Sequence, residues 1–302
     1  MGEIELLALY WTVSGPVEVH TGREWSLFDW RERCAQAARA GFSGLGLWHA
    51  DLEHQLKSRS LREIATIFAD AGLKHLELEF IDDFFLAPAE AARERSDRKR
   101  RLLFEAAEAL PAHHIKVGNI PGRACEPGRL VEAFAELCDD AARHTAAPVV
   151  YEFMPFDPNV RTLREAVELL EAADRPNGAL AIDTWHLGKL EIPAAELRRI
   201  PGRLLGWVEL SDGPRANMPD LREETINHRR LPGEGEFDIP AYIEACHAAG
   251  YEGPWGVEVL SEELRALPIE ELFDRAYVST MAQLRAGLAR AGGEARAVGG
   301  EG

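Results

Sequence analysis

"ALAIDTW", residues 179–185, is the stretch on which the fold turns. Four apolar residues run straight into Asp183, and Trp185 and His186 follow. A short apolar run bounded by polar residues reads as a buried strand. An acid at its end is costly if buried and unpaired. It therefore reads either as a salt bridge or helix cap at a strand end, or as part of a site.

The pattern recurs along the chain. "PVVYEFMP" ends an apolar run in Glu152, "LGWVELSD" in Glu209 and "WGVEVLS" in Glu258. Four further runs, "IELLALYW", "GLGLWH", "HLELEF" and "HIKVGNI", bring the candidate strands to eight. Helical patterns lie between them. "DWRERCAQAARAG" puts Trp30, Cys34, Ala37 and Ala38 on one face and stops at Gly41. "SLREIATIFADAG" and "TLREAVELLEAAD" each open with a capping-box pair, Ser60 with Glu63 and Thr162 with Glu165, as if copied from one βα unit.

Strands alternating with helices call for a parallel sheet with right-handed crossovers. Eight such units in a chain of 302 residues fit a single α/β (β/α)8 TIM barrel. A doubly wound sheet would carry a glycine-rich turn after its first strand, and "TVSGPVEVH" is not one. The expected organisation is one barrel over residues 1–290 and a flexible, glycine-rich tail over 291–302.

Bulk composition narrows the function. A formal net charge of −17 argues against nucleic acid, whose binding rests on clustered Lys and Arg. A small anionic substrate on one or two arginines stays compatible. No apolar run reaches the length of a membrane span. "MGEIELLALYW" lacks the basic region and cleavage site of a signal peptide. Cys34, Cys125, Cys138 and Cys246 are scattered, as in reduced thiols, so a cytoplasmic protein is expected.

Glu152, Asp183, Glu209 and Glu258 fall at the C-terminal ends of the fifth to eighth strands, which in a barrel meet at one mouth. Carboxylates so close repel unless a cation or shared protons intervene. Oxygen donors suit a hard divalent ion such as Mg²⁺ or Mn²⁺. Glu77 and Glu79 share one strand face, so one of them is a further candidate, or pairs with an arginine. Trp48, Trp185 and Trp207 read as barrel filling. "HRRLPGEGEFDIP" (228–240) reads as a βα loop with Asp238 as N-cap and Pro240 in the first turn, rather than a phosphate loop. Arg229 and Arg230 in it are candidate clamps for a substrate hydroxyl, carboxylate or phosphate.

"VVYEFMPF", "RPNGALAIDTWHLGKL", "GWVELSDG", "HRRLPGEGEFDIPAYI" and "GYEGPWGVEVLS" together resemble the sugar phosphate isomerase/epimerase superfamily with the xylose isomerase-like TIM barrel. The likeness is strong over about residues 145–265 and looser before. It implies one divalent ion, Mn²⁺, Mg²⁺ or Co²⁺, held by Glu152, Asp183, Glu258 and the residue at the third ligand position. That residue is a histidine in the superfamily motif V-H-L-S-D, but "VELSD" places Glu209 there. The resemblance further implies that His186 and Arg230, with Arg229 as fallback, contact substrate, and that Glu152 and Glu258 exchange a proton beside a carbonyl of a sugar-like molecule. The implied activity is isomerisation or epimerisation through an enediolate. Elimination from a cyclitol or dehydroshikimate-like substrate and sugar binding without catalysis are the alternatives. Homo-oligomerisation stays open.

Overall fold

The computed structural model describes residues 3–19 and 21–298. Eight parallel strands close into a barrel in sequence order: β1 (Leu6–Ala8), β2 (Gly44–Trp48), β3 (His75–Ile81), β4 (Ala112–Gly118), β5 (Val149–Glu152), β6 (Gly178–Asp183), β7 (Leu205–Leu210) and β8 (Trp255–Val257). β8 pairs back with β1. The fold is thus a single (β/α)8 barrel. Among the described residues no helix is long and apolar enough to cross a membrane.

Local signals in the sequence account for the helices. The helix Trp30–Ala40 ends on Gly41, whose φ of 106° is open to glycine. Ser60 and Thr162 each close the capping box with Glu63 and Glu165. Such caps stabilise a helix by about 1 kcal/mol. Asp238 caps the helix Ile239–Ala248, with Pro240 in its first turn. The first strand is shorter than its apolar run: after Leu9 the chain turns into a short helix, Tyr10–Val13. The last helix runs Ile269–Val298, into the segment expected as a tail, and residues 299–302 lie outside the described residues.

Strand alternation stacks the barrel interior in layers. Leu7, Leu9, Val150, Ala179, Ala181 and Trp207 form an apolar floor. His114 packs on Trp207 with ring centroids 4.3 Å apart. A β-carbon at Gly256 would meet Trp207 at 2.6 Å, and one at Gly46 would meet Glu77 Oε2 at 2.8 Å. These two glycines therefore leave the width that the indole and the acid occupy. Above the floor, the inward positions of β3, β4, β5, β6 and β7 turn from apolar to charged: Glu77 and Glu79, Lys116, Glu152, Asp183 and Glu209. All are buried. The mouth is walled on one side by an apolar cluster of Tyr10, Trp11, Val17, Trp48, Phe80, Met154 and Leu260.

Candidate active site

A cavity opens at the C-terminal mouth of the barrel. Glu79, Lys116, Glu152, His186, Arg229 and Glu258 supply its polar wall. Trp11, Trp48, Phe80, Met154, Phe156 and Leu260 supply the apolar one. Asp183 and Glu209 lie fully buried behind this polar wall.

The structure brings the four strand-end acids together. Carboxylate oxygens of Glu152, Glu209 and Glu258 lie within 4.8 Å of one another, and so do donor atoms of Glu152, Asp183 and His186. Glu152 and Asp183 are the last residues of their strands, and Glu258 is the first residue past β8. Asp183 and Glu209 are paired positions of adjacent strands.

Lys116 stands inside the ring of acids, a residue whose strand the sequence marked but whose role it did not. Its Nζ donates to Glu258 Oε1 at 2.7 Å and to Glu209 Oε2 and Oε1 at 2.8 and 3.0 Å. Glu79 and Glu77 follow at 3.2 and 3.4 Å, and Glu152 at 4.0 Å. Burial alone would drive the ammonium to give up its proton. The surrounding acids, Glu209 and Glu258 foremost, outweigh burial and hold its pKa well above the ordinary range. Below it, His114 Nε2 lies 3.0 Å from Glu77 Oε1, and His114 Nδ1 lies 2.9 Å from His113. The available signal was a lysine flanked by Ile115 and Val117 in one strand, beside a strand reading "LELE".

Arg229 is the second cation. Nη1 donates to Asp183 Oδ2 at 2.7 Å and lies 3.5 Å from Glu258 Oε2. Its Nε and Nη2 bond Thr225 Oγ1 at 3.1 and 2.8 Å. The guanidinium rests 4.8 Å over the Trp185 ring. Trp185 is therefore the shelf for this arginine, whereas Trp207 fills the floor and Trp48 the wall. Thr225 sits on the helix Leu221–Asn227, capped by Asp220 and anchored by a buried Lys189–Glu224 pair.

Arg230 is a correction to the expected clamp. Its backbone pairs with that of Asp212 through two 2.9 Å bonds, and extended backbone sends successive side chains to opposite sides. Arg229 consequently points inward, and Arg230 is exposed, reaching the Glu234 carbonyl. The glycine-rich turn holds no phosphate cradle. Asp212 occupies it, accepting from the amides of Gly213, Gly233 and Phe237. Asp212→Asn keeps one of two acceptor oxygens, and the expected cost is about 1–3 kcal/mol. Thermal unfolding should show a drop of several degrees, and an unchanged midpoint would contradict this role for Asp212.

His186 is neutral near pH 7, because burial depresses its pKa to about 4. Its Nδ1 bonds the Phe153 carbonyl at 3.1 Å, which leaves the Nε2 lone pair facing Asp183 Oδ2 and Arg229 Nη2 at 3.5 and 3.3 Å. Asp183 accepts from the Trp185 amide at 2.8 Å. Burial would raise its pKa, but Arg229, His186 and that amide together hold it below the ordinary value.

Six acids thus face two cations. Burial pushes Glu77 up to about 7 and Glu79, Glu152 and Glu209 well above the ordinary range. Glu77 Oε2 and Glu79 Oε1 are buried without a partner. Excess buried carboxylate, together with a neutral imidazole, is a donor set that fits a divalent cation. It also makes stability pH-dependent without one. Glu77 binds its proton more tightly in the native than in the unfolded state, so its own contribution to stability falls as pH rises from 4.5 to about 7. Buried His186, depressed to about 4, works in the opposite direction and adds stability as pH rises from there to its ordinary 6.5. Glu77→Gln removes the first contribution and leaves the second, so its melting temperature in chelator should rise more, or decline less, from pH 5 to pH 8 than that of wild type. Parallel profiles for the two proteins would contradict the charge arrangement.

A parallel barrel with acids and an imidazole at its mouth defines a class of small-molecule site. Within that class the chain belongs to the xylose isomerase-like TIM barrel family, whose model matches residues 34–277. It is 30% identical over 241 residues to a 3-dehydroshikimate dehydratase of Pseudomonas aeruginosa. That alignment covers 78% of this chain but 37% of the relative's length. It is 25% identical to an L-ribulose 3-epimerase of Methylomonas sp. strain DH-1, covering 80% and 82% of the two chains. Among solved structures, the IOLI protein with a bound zinc atom superposes with a TM-score of 0.79 at 19% identity, over 93% of this chain and 98% of that one. A fusion of a xylose isomerase-like barrel with a 4-hydroxyphenylpyruvate dioxygenase superposes at 0.81 and 22% identity, over 97% of this chain and 44% of the fusion.

Proposed function

We propose that the chain is a divalent-metal-dependent isomerase or epimerase of a small hydroxylated carbonyl compound, acting in the cytoplasm. The observation that carries this is the pairing of Glu152 and Glu258. They reach one cavity from separate strands, with oxygens within 4.8 Å of each other and cationic groups beside them. Two carboxylates so placed attend the same carbon or its neighbour, and can take up and return a proton next to a carbonyl. Arg229 orients hydroxyl and carbonyl oxygens. The apolar wall of Trp11, Trp48 and Phe80 covers the carbon skeleton and keeps water from the acidified carbon.

Glu152, Asp183, Glu258 and His186 Nε2 would hold the ion, with Glu209 behind them. Carboxylate-rich donors favour Mn²⁺, Mg²⁺ or Co²⁺. Bound there, such an ion supplies Lewis acidity that stabilises negative charge developing on substrate oxygen.

A second reading, elimination of water, is favoured by Glu79. This acid lines the cavity, is held protonated chiefly by burial, and has one oxygen without a partner. A neutral carboxylic acid there can donate its proton to a departing hydroxyl while Glu152 or Glu258 removes the proton on the neighbouring carbon. A panel of ketoses, inososes and dehydroshikimate-like acids in deuterium oxide tests both readings. Proton exchange next to the carbonyl without new absorbance supports isomerisation. Loss of water with a conjugated ultraviolet chromophore supports elimination. Neither change with any member of the panel, with Mn²⁺ present, would overturn the proposal.

A further inference from the structure

We propose that the Lys116 ammonium is the resident cation of the acid ring, and that Glu209 serves this ammonium rather than a divalent ion. This inference rests on the reading that the mouth takes a metal, but it concerns which residues bind the ion and not which reaction follows.

Both oxygens of Glu209 are taken by Lys116, at 2.8 and 3.0 Å. The same ammonium takes Glu258 Oε1 at 2.7 Å and draws Glu79 and Glu77 to 3.2 and 3.4 Å. An ammonium has three N–H donors, and acids on β3, on β7 and just past β8 surround them. The lysine is 1% exposed and Glu209 is 0% exposed, so water cannot substitute for either partner. The construction continues downward, where His114 bonds Glu77 and Gly46 leaves room for its second oxygen. Donor atoms of Glu152, Asp183 and His186 form a group of their own within 4.8 Å, and none of these three residues accepts a hydrogen bond from the lysine. A divalent ion drawn instead to Glu152, Glu209 and Glu258 would have to evict the ammonium from Glu209 and Glu258, the two acids to which it donates. The third-ligand residue is thereby withdrawn from the ion. A fixed positive charge stands a few ångströms from where the ion sits, and it weakens that ion's hold.

Calorimetric titration of Mn²⁺ into chelator-stripped full-length protein tests this with wild type, Lys116→Met and Lys116→Met/Glu209→Gln. The single variant removes the cation. The double variant also restores the local charge balance, which protects against a variant that fails to fold. Lys116→Met should bind Mn²⁺ at least about tenfold more tightly than wild type, because a like charge at contact range has been removed and Glu209 set free. The double variant, with charge balanced and Glu209 gone, should match wild type within about threefold, since no ligand of the wild-type ion has been lost. Mn²⁺ should also raise the melting temperature of Lys116→Met more than it raises that of wild type. Unchanged or weaker binding in Lys116→Met overturns the proposal. Binding at least about tenfold weaker than wild type in the double variant also overturns it, since Glu209 would then be a ligand of the ion. Catalysis enters none of these readouts, so failure of the proposed reaction and failure of this inference are distinguishable.

Discussion

Glu152→Gln is expected to abolish proton exchange on the substrate while leaving the fold as stable as before, or more so. The two effects separate because of where the carboxyl sits. Burial, the neighbouring Glu258 and Asp183 push its pKa up against the pull of Lys116 and Arg229, so its ionised form is costly to the fold. A glutamine has the shape of the neutral acid and removes that cost. Catalysis needs the ionised form to accept a proton, and loss of a positioned base typically slows such a step by about 10²–10⁴-fold. The measurements are deuterium exchange beside the carbonyl and thermal unfolding at pH 8. Retained exchange would remove Glu152 from the mechanism. A large fall in melting temperature would mean that its charge holds the barrel together.

Arg229→Ala is expected to damage both stability and turnover. Its guanidinium is the partner of Asp183 at 2.7 Å, and both side chains are buried. Removing one half of a buried pair leaves an uncompensated charge and typically costs about 3–5 kcal/mol. In a chain of this size that corresponds to a melting temperature lower by on the order of 10 °C. Arg229→Lys should rescue little, because an ammonium cannot reach Asp183 and Thr225 together as the fork does. Arg230→Ala, whose side chain is exposed, is the control and should change neither property beyond about 0.5 kcal/mol. Equal effects at the two positions would refute the inward placement of Arg229.

The barrel was legible because its signals are local. Apolar runs, capping pairs such as Thr162 with Glu165, and Gly41 as a helix stop are written within a few residues of one another. The acids at strand ends were legible for the same reason: Asp183 and Glu258 each close an apolar run in plain view. Lys116 was not, because its meaning lies in β3, β7 and the residue past β8, far away in sequence. A lysine inside "HIKVGNI" has no acid within the same stretch to betray it. The choice between Arg229 and Arg230 was hidden as well. Adjacent residues of one type differ only in which way the backbone turns them, and the Asp212 pairing that decides it is made across a loop. Glu77 and Glu79 showed their shared face through period-two spacing, but not that an ammonium would sit between them and the opposite wall.

The shared ammonium has a consequence for how such a site can be dissected or can drift. Acids from three places in the chain lean on one side chain, so none of Glu77, Glu79, Glu209 and Glu258 carries an energy of its own. Deleting one hands its share of Lys116 to the rest, and the apparent effect of a second deletion depends on which came first. Substitutions at these positions will be strongly epistatic, with coupling on the order of 1–3 kcal/mol between residues more than a hundred positions apart. Scanning them singly would misjudge all four, and a viable change at position 209 would come paired with a change at position 116.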